Sequence, residues 1–236
     1  TAGQLGKQHP LLIGGQAIET PKQMQVRNPA HPKQVIGIVS QASPDDVNRA
    51  VEQAASAQPN WAKTPVAERA ACLRRAAALI RQRRAELTAL TILEVGKTWR
   101  EADVEIVEAI EYLQYYARCM EQLAEGKAVD SVPGERNLYR YMPRGVAVVI
   151  APWNFPAAIL MGMTAAALVT GNTVIVKPSE QSSVIASYLV RILREAGIPS
   201  GVIQFLPGPG EEAGAALVAH PQVAVVLFTG SKSVGL

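Results

Sequence analysis

Asn154 stands in a tight Pro152-Trp153-Asn154-Phe155-Pro156 loop that directly follows the apolar run Gly145-Val-Ala-Val-Val-Ile150. Lys177 and Glu180 follow a second run, Thr173-Val-Ile-Val176. In open α/β sheets ligands occupy the crevice beyond the carboxyl ends of the strands, so polar groups at two such ends, one helix length apart, are predicted to face one pocket. An ionised Glu180 accepts hydrogen bonds only; it can take both hydroxyls of a ribose and repels a 2′-phosphate. The bland alternative for Lys177 and Glu180 is a surface ion pair of little worth, and for Asn154 a structural amide in a proline-rich turn. Gly208-Pro-Gly210-Glu-Glu-Ala-Gly214 has the place of a dinucleotide loop, after a strand and before a helix. It is one residue longer than the ordinary fingerprint, and no acidic residue follows about 20 positions on, so a plain turn is an equal reading. Phe228-Thr229-Gly230-Ser231 combines a strand end, a glycine that admits close backbone approach and a hydroxyl at a helix start. Such a place suits a pyrophosphate, or an ordinary Ser cap.

The elements that must position these groups read as follows. From Gly145 onward strands and helices alternate: Val146–Ile150, a helix over 157–170, Thr173–Val176, a helix from Ser182 to Ala196, Val202–Phe205, a helix over Glu211–Ala219, and Val223–Phe228. That alternation predicts a parallel sheet of Rossmann type. Upstream, Leu12-Ile13-Gly14-Gly15 and Met24-Gln-Val-Arg-Asn-Pro29 read as short strands. Ser43-Pro44-Asp45-Asp46 starts a helix to about Ala57, with Ser as cap, Pro at the first turn and two acids at the positive dipole end. A second helix begins near Pro65, with Glu68 at capping-box spacing, breaks near Arg83 to Glu86 and ends at Gly96; a third runs from Thr98 to about Glu125. Polar and aromatic alternation between Gly126 and Arg144, around Pro133-Gly134, predicts a hairpin. Residues 1–125, 126–144 and 145–236 are therefore read as N-terminal strands and helices, a projecting hairpin and a Rossmann-type core.

With 236 residues, 48% of them hydrophobic, the chain can bury a large core, and its formal charge of +3 is mild. The basic cluster from Arg69 to Arg84 has apolar residues at helical spacing and lacks interleaved aromatics, which favours a solvated helix face over a nucleic-acid or other anionic partner. Cys72 and Cys119 lie inside predicted helices without disulfide or metal-ligand spacing and are expected to be buried thiols; no metal site is indicated. The uncharged stretch from Gly145 to Val176 is divided by Pro152, Asn154, Pro156, Gly171 and Asn172. Its central piece, Ala157 to Thr170, falls short of the roughly 20 residues of a membrane span. The polar opening, without secretory character, fits a cytoplasmic protein.

Residues 151–180, APWNFPAAILMGMTAAALVTGNTVIVKPSE, together with Phe228-Thr-Gly-Ser-Lys-Ser-Val-Gly235, resemble the cofactor-side signature of the aldehyde dehydrogenase superfamily. With Glu108-Ala-Ile-Glu-Tyr-Leu-Gln-Tyr-Tyr-Ala-Arg118, the block is most similar to 1-pyrroline-5-carboxylate dehydrogenases, which oxidise glutamate γ-semialdehyde in proline catabolism. The resemblance runs from about Leu12 over half the family's usual length, and it implies the NAD-binding half of the enzyme. It implies NAD as cofactor, bound in a nonstandard way by Ile150, Pro152, Trp153, Lys177, Ser179, Glu180, Gly210, Phe228, Gly230 and Ser231. Asn154 becomes the amide donor to the oxyanion that forms when a cysteine thiolate attacks the aldehyde. Phe155 and Glu108 become substrate contacts, with packing or surface roles as the alternatives. The nucleophilic Cys and the water-activating Glu are placed beyond Leu236, so the chain alone is expected to be inactive. A homo-oligomer formed through the 126–144 hairpin is implied, and so is the option of fusion to proline dehydrogenase. The rival readings are a dehydrogenase of another small aldehyde and a non-catalytic NAD-binding or assembly module.

Overall fold

A computed structural model describes Gly3 and residues 5–235. Strands β1 (Lys7–His9), β2 (Leu11–Ile13), β3 (Gln16–Ile18), β4 (Gln23–Asn28) and β5 (His31–Ser40) precede helices α1 (Pro44–Lys63), α2 (Val66–Gln82), α3 (Arg84–Val95) and α4 (Trp99–Leu123). A hairpin of β6 (Lys127–Ala128) and β7 (Leu138–Tyr139) leads into the alternating part. There β8 (Val146–Ile150), α5 (Ala158–Val169), β9 (Thr173–Lys177), α6 (Ser183–Glu195), β10 (Ile203–Phe205), α7 (Ala215–Ala219), β11 (Val223–Phe228) and α8 (Lys232–Gly235) follow in turn.

The main sheet has the order β11-β8-β9-β10-β2-β3. Its first four strands are parallel, as the βαβ alternation predicts, and make a doubly wound, Rossmann-type sheet. Two antiparallel N-terminal strands then extend the β10 edge. They turn back through Gly14 and Gly15, both at positive φ, and Gln204 on β10 holds the turn by accepting the Gly14 N–H at 2.7 Å. The apolar runs alternate between two cores: Ala147, Val149, Val174 and Val176 face α2, α4, α5 and α6, whereas Val146, Val148 and Ile175 face α1 and α7. Burial on both faces explains why these strands read as unbroken apolar runs rather than as alternating ones.

A second sheet, β1-β5-β4, contains two strands that sequence pattern misses, the short β1 and β5, the latter because Pro32 and Gly37 interrupt it. His9 on β1 is buried, with Nδ1 3.1 Å from Ser187 Oγ. Burial first, then Arg191 and Lys7, lower its pKa from 6.5 to about 4. A depressed folded-state value means that the neutral ring stabilises the fold above pH 6.5 and that this contribution is lost as pH falls through about 4. The native protein is expected to lose on the order of 3 kcal/mol more than a His9→Gln variant across that window. Parallel denaturant titrations at pH 7 and pH 4.5 measure the difference, and equal losses would remove His9 from the account.

Helix boundaries mostly follow their caps. Ser43 and Asp46 form a capping box on α1, Thr98 and Glu101 form one on α4, and Gly96 ends α3 in the left-handed conformation. Two details differ from the sequence reading. α1 continues past Pro59 because Trp61 is buried and donates from Nε1 to the Leu168 carbonyl at 3.0 Å, so a tertiary anchor overrides the break. No capping box starts α2, because the Thr64 hydroxyl donates to the Asn60 carbonyl at 3.1 Å and closes α1 instead.

The basic cluster from Arg69 to Arg84 is largely the solvated face it was read as, with Arg74, Arg75, Arg81 and Arg84 exposed; Arg69 is the exception. Arg69 is buried, and Arg74, Arg83 and Arg84 pair with Glu121, Glu195 and Asp103. Cys72 is buried, and desolvation pushes its thiol pKa up. Cys119, expected to be buried, is only half-buried because it falls beside the Ile106–Ile110–Leu113–Ala117 stripe of α4 rather than on it. Among the described residues no helix is long and apolar enough to cross a membrane.

Candidate functional site at the carboxyl edge of the sheet

The register aligns Phe228, Ile150 and Lys177 in one row across β11, β8 and β9. Beyond that row lie the 151–157 loop, the 178–182 turn, the 206–210 turn and Thr229-Gly230-Ser231. Counted from β8, the parallel strands take the order 3-2-1-4, so the winding reverses between β8 and β11. That reversal opens the crevice in which doubly wound sheets bind ligands. Every cofactor-side residue inferred from the sequence lies on this edge or in the loops leaving it.

Glu180 opens a short 3-10 turn, and its Oε1 accepts the Gly210 N–H at 2.8 Å, tying two of the candidate loops together. Its Oε2 makes no hydrogen bond to the described residues. Lys177 is 3% exposed; its Nζ donates to the Pro178 carbonyl at 3.1 Å and lies 3.6 Å from Glu180 Oε1. Burial lowers the Lys177 pKa, while Glu180 and then Glu211 oppose the shift. A buried ammonium beside a half-exposed carboxylate is not a pair of solvated side chains, so the surface-pair alternative loses its basis. The stem of Lys177 passes Gly214, where a Cβ would lie 3.4 Å from Lys177 Cε. A free carboxylate oxygen and a spare ammonium N–H on one rim fit the two hydroxyls of a ribose. Gly208-Pro209-Gly210 leads into a π turn, Gly210–Gly214, before α7, so the loop that exceeds the ordinary fingerprint is absorbed as a wider first turn.

Trp153, Glu180 and Gln181 line a cleft of about 320 Å³ whose far wall is Met24 to Arg27 of β4 with Pro29, and whose floor includes Glu94. Sequence reading missed both wall and floor. Glu94 lies on the Leu87–Leu90–Thr91 stripe of α3 and is buried, and its two oxygens accept the Val184 and Ile185 N–H groups at 2.7 Å each, capping α6. Burial pushes its carboxyl up to about 8, against the pull of those two bonds. A carboxylate on an apolar stripe was the available signal.

Asn154 is exposed, and no described residue hydrogen-bonds its amide. Phe155 beside it is exposed too, with Lys97 Nζ 3.8 Å from its ring centroid. Glu108 lies on α4, accepts the Tyr112 hydroxyl at 3.1 Å, and lines a separate groove of about 720 Å³ with Arg74, Tyr112, Tyr115 and Arg118. At the other end of the edge the Phe228 ring packs against Gly230, where a Cβ would come within 2.5 Å of Phe228 Cζ. Any side chain at 230 would require the Phe228 ring to shift. Ser231 Oγ lies 3.1 Å from Ser233 Oγ at the start of the single turn α8. Ser179 accepts the Ser183 hydroxyl on its carbonyl at 2.9 Å. Among the described residues no cluster of His, Cys, Asp and Glu is placed to hold a metal ion.

The candidate loops gather at the switch point of a doubly wound sheet, and the chain belongs to the aldehyde dehydrogenase family, whose pattern matches residues 17–236. It is 49% identical over 231 residues to 1-pyrroline-5-carboxylate dehydrogenase 2 of Bacillus subtilis (strain 168), covering 98% of this chain and 45% of that protein. Among solved structures it is similar to the 1-pyrroline-5-carboxylate dehydrogenase from Thermus with bound NAD: TM-score 0.96, 43% identity, 99% of this chain and 46% of that one. It is also similar to proline utilization A from Bdellovibrio bacteriovorus, with TM-score 0.97 and 43% identity over 99% of this chain and 24% of that one. The chain thus spans about half the length of the curated relatives it matches.

Proposed function

We propose that the full-length protein oxidises an aldehyde to a carboxylate with NAD, and that its substrate is L-glutamate γ-semialdehyde, the open form of 1-pyrroline-5-carboxylate. The carrying observation is the register row Phe228–Ile150–Lys177, which sets the candidate loops around the winding reversal. Similarity to 1-pyrroline-5-carboxylate dehydrogenases, one of them with NAD bound, supports substrate and cofactor.

In this reading Glu180 and Lys177 hold the adenosine ribose. Ile150, Pro152, Trp153 and Phe228 offer apolar surface, Ser179 and Gly210 border the ribose pocket, and Gly230 and Ser231 offer backbone and hydroxyl donors to the pyrophosphate. Bound NAD supplies the hydride acceptor. Asn154 donates its amide N–H to the oxyanion, Phe155 packs on the aliphatic part of the substrate, and Glu108 stands at the substrate entrance. Neither cysteine of this chain serves as nucleophile. Cys72 is buried with a raised pKa, and Cys119 lies about 21 Å along the α4 axis from Glu105, the α4 residue that touches the base of the Asn154 loop.

The test follows NADH absorbance in the full-length protein with glutamate γ-semialdehyde. Glu180→Gln is expected to raise the KM for NAD about tenfold and to narrow the gap to NADP, since the lost charge both binds hydroxyls and repels phosphate. Unchanged KM values for both cofactors would remove the ribose role, and no turnover by the native protein would defeat the whole reading.

The reading extends to assembly: the full-length protein forms a homo-oligomer through the 126–144 hairpin, and the similarity to proline utilization A favours a link to proline dehydrogenase. β6 and β7 pair over only two residues each, and Tyr139, Tyr141 and Met142 are exposed, leaving strand edges and apolar surface for another subunit. Tyr139→Asp with Tyr141→Asp should lower the mass seen by light scattering; an unchanged mass puts the interface elsewhere.

A further inference from the structure

We infer that Glu105, held by Lys97, is a positioning residue that fixes the loop carrying Asn154; its catalytic consequence rests on the oxidation proposed above. Glu105 lies on the buried stripe of α4 between Ala102 and Ala109, and its side chain is fully buried. A charge in that position is costly unless it is paired and hydrogen-bonded. Both conditions are met, and both partners belong to or touch the Asn154 loop. Oε1 accepts the Ala157 N–H at 2.7 Å and the Ala158 N–H at 3.3 Å, two first-turn donors of α5 that no intrahelical carbonyl can reach. Oε2 accepts from Lys97 Nζ at 2.5 Å, and the same ammonium lies 3.8 Å from the centroid of the Phe155 ring.

No side chain at the α5 N-cap performs this service, because the N-cap is Ala157. Asn154 itself is exposed and makes no hydrogen bond to the described residues, so it inherits its place from the two ends of the loop. At the β8 end the Ala151 N–H donates to the Lys177 carbonyl at a long 3.4 Å. At the α5 end Glu105 supplies the shorter tie, and Lys97 presses on Phe155, the residue next to Asn154. At this end the only other hydrogen bond among the described residues is the Ile159 N–H to the Phe155 carbonyl at 3.3 Å. A displacement of about 1 Å at a catalytic group can cost on the order of 10² in rate, so the shorter tie makes that carboxylate matter to turnover.

The test uses the full-length protein with Glu105→Gln, which keeps an oxygen for Ala157 but loses the ion pair, and Lys97→Met, which keeps the carboxylate and removes its partner. Both are made alone and together with Asn154→Ala. Amide hydrogen exchange over residues 153–158 is expected to quicken about tenfold in both variants while β9 is unaffected. kcat should fall about 10–10²-fold with the KM for NAD unchanged, and neither substitution should lower kcat further once Asn154 is Ala. Unaltered exchange over 153–158 overturns the positioning role whatever the enzyme does. So does an equal proportional loss of kcat with and without Asn154, which would mean that Glu105 acts independently of the amide. Faster exchange combined with a native kcat in Asn154→Ala leaves the positioning intact and defeats the oxyanion assignment instead. Should Glu105→Gln fail to fold, Lys97→Met decides.

Discussion

Asn154→Ala in the full-length protein is expected to lower kcat about 10²–10³-fold while the KM for NAD stays within about twofold. The amide is uncharged, exposed and uncommitted to any described residue, so it can donate to a charge that appears only when the carbonyl is attacked. Backbone ties at both ends of the loop hold it there before the substrate arrives. A donor that meets charge only in the transition state affects turnover and leaves cofactor affinity alone. Steady-state kinetics with glutamate γ-semialdehyde decide the matter. Weakened NAD binding with kcat retained would move Asn154 from the reacting centre to the cofactor.

Arg69→Met should destabilise the fold by about 3 kcal/mol or more, with no direct contact to the site lost. The guanidinium is 4% exposed, and no carboxylate among the described residues pairs with it. It is satisfied by carbonyls. Nε donates to Val169 at 2.9 Å, and Nη1 to Trp61 at 3.4 Å, to Ala62 at 3.3 Å and to Thr64. Those carbonyls close α1 and α5, where the negative ends of two helix dipoles meet the cation. Met fills similar volume but leaves the carbonyls without donors. Arg84→Met, which breaks an exposed pair with Asp103, should change stability by less than about 1 kcal/mol and serves as the control. Equal Tm shifts in the two variants would show that water replaces the Arg69 contacts.

The parallel core was legible because each strand is an apolar run closed by Gly, Pro or Asn and each connection has helical length. Caps were legible where the side chain that closes a helix is adjacent in sequence, as with Ser43 and Thr98. What escaped is what long-range contacts decide. β5 hides behind Pro32 and Gly37 because its strand character comes from pairing with β1 and β4 on both sides. α1 runs past Pro59 on the strength of a bond from Trp61 to a carbonyl 107 residues away. At the site, the residues on the loops could be named from strand ends, but the carboxylates behind them could not. Glu94 and Glu105 sit in apolar stripes, where a charge reads as an anomaly until the N–H groups of α6 and α5 are seen to meet it.

Leu12 pairs with Phe205 across the main sheet, so β2 leaves the ribosome well before the strand it pairs with. About 190 residues separate them, which at ordinary elongation speeds is on the order of 10–40 s of synthesis. During that time Leu11, Leu12 and Ile13 have no β10 to cover them. The Gly14–Gly15 turn can form at once, because it is local, but Gln204, which holds it, arrives with the partner strand. The completed sheet is therefore a non-local assembly, in which β2 and β3 stay without their partner strand until β10 has been made. Chaperone dependence during synthesis should accordingly follow the length of chain between β3 and β10.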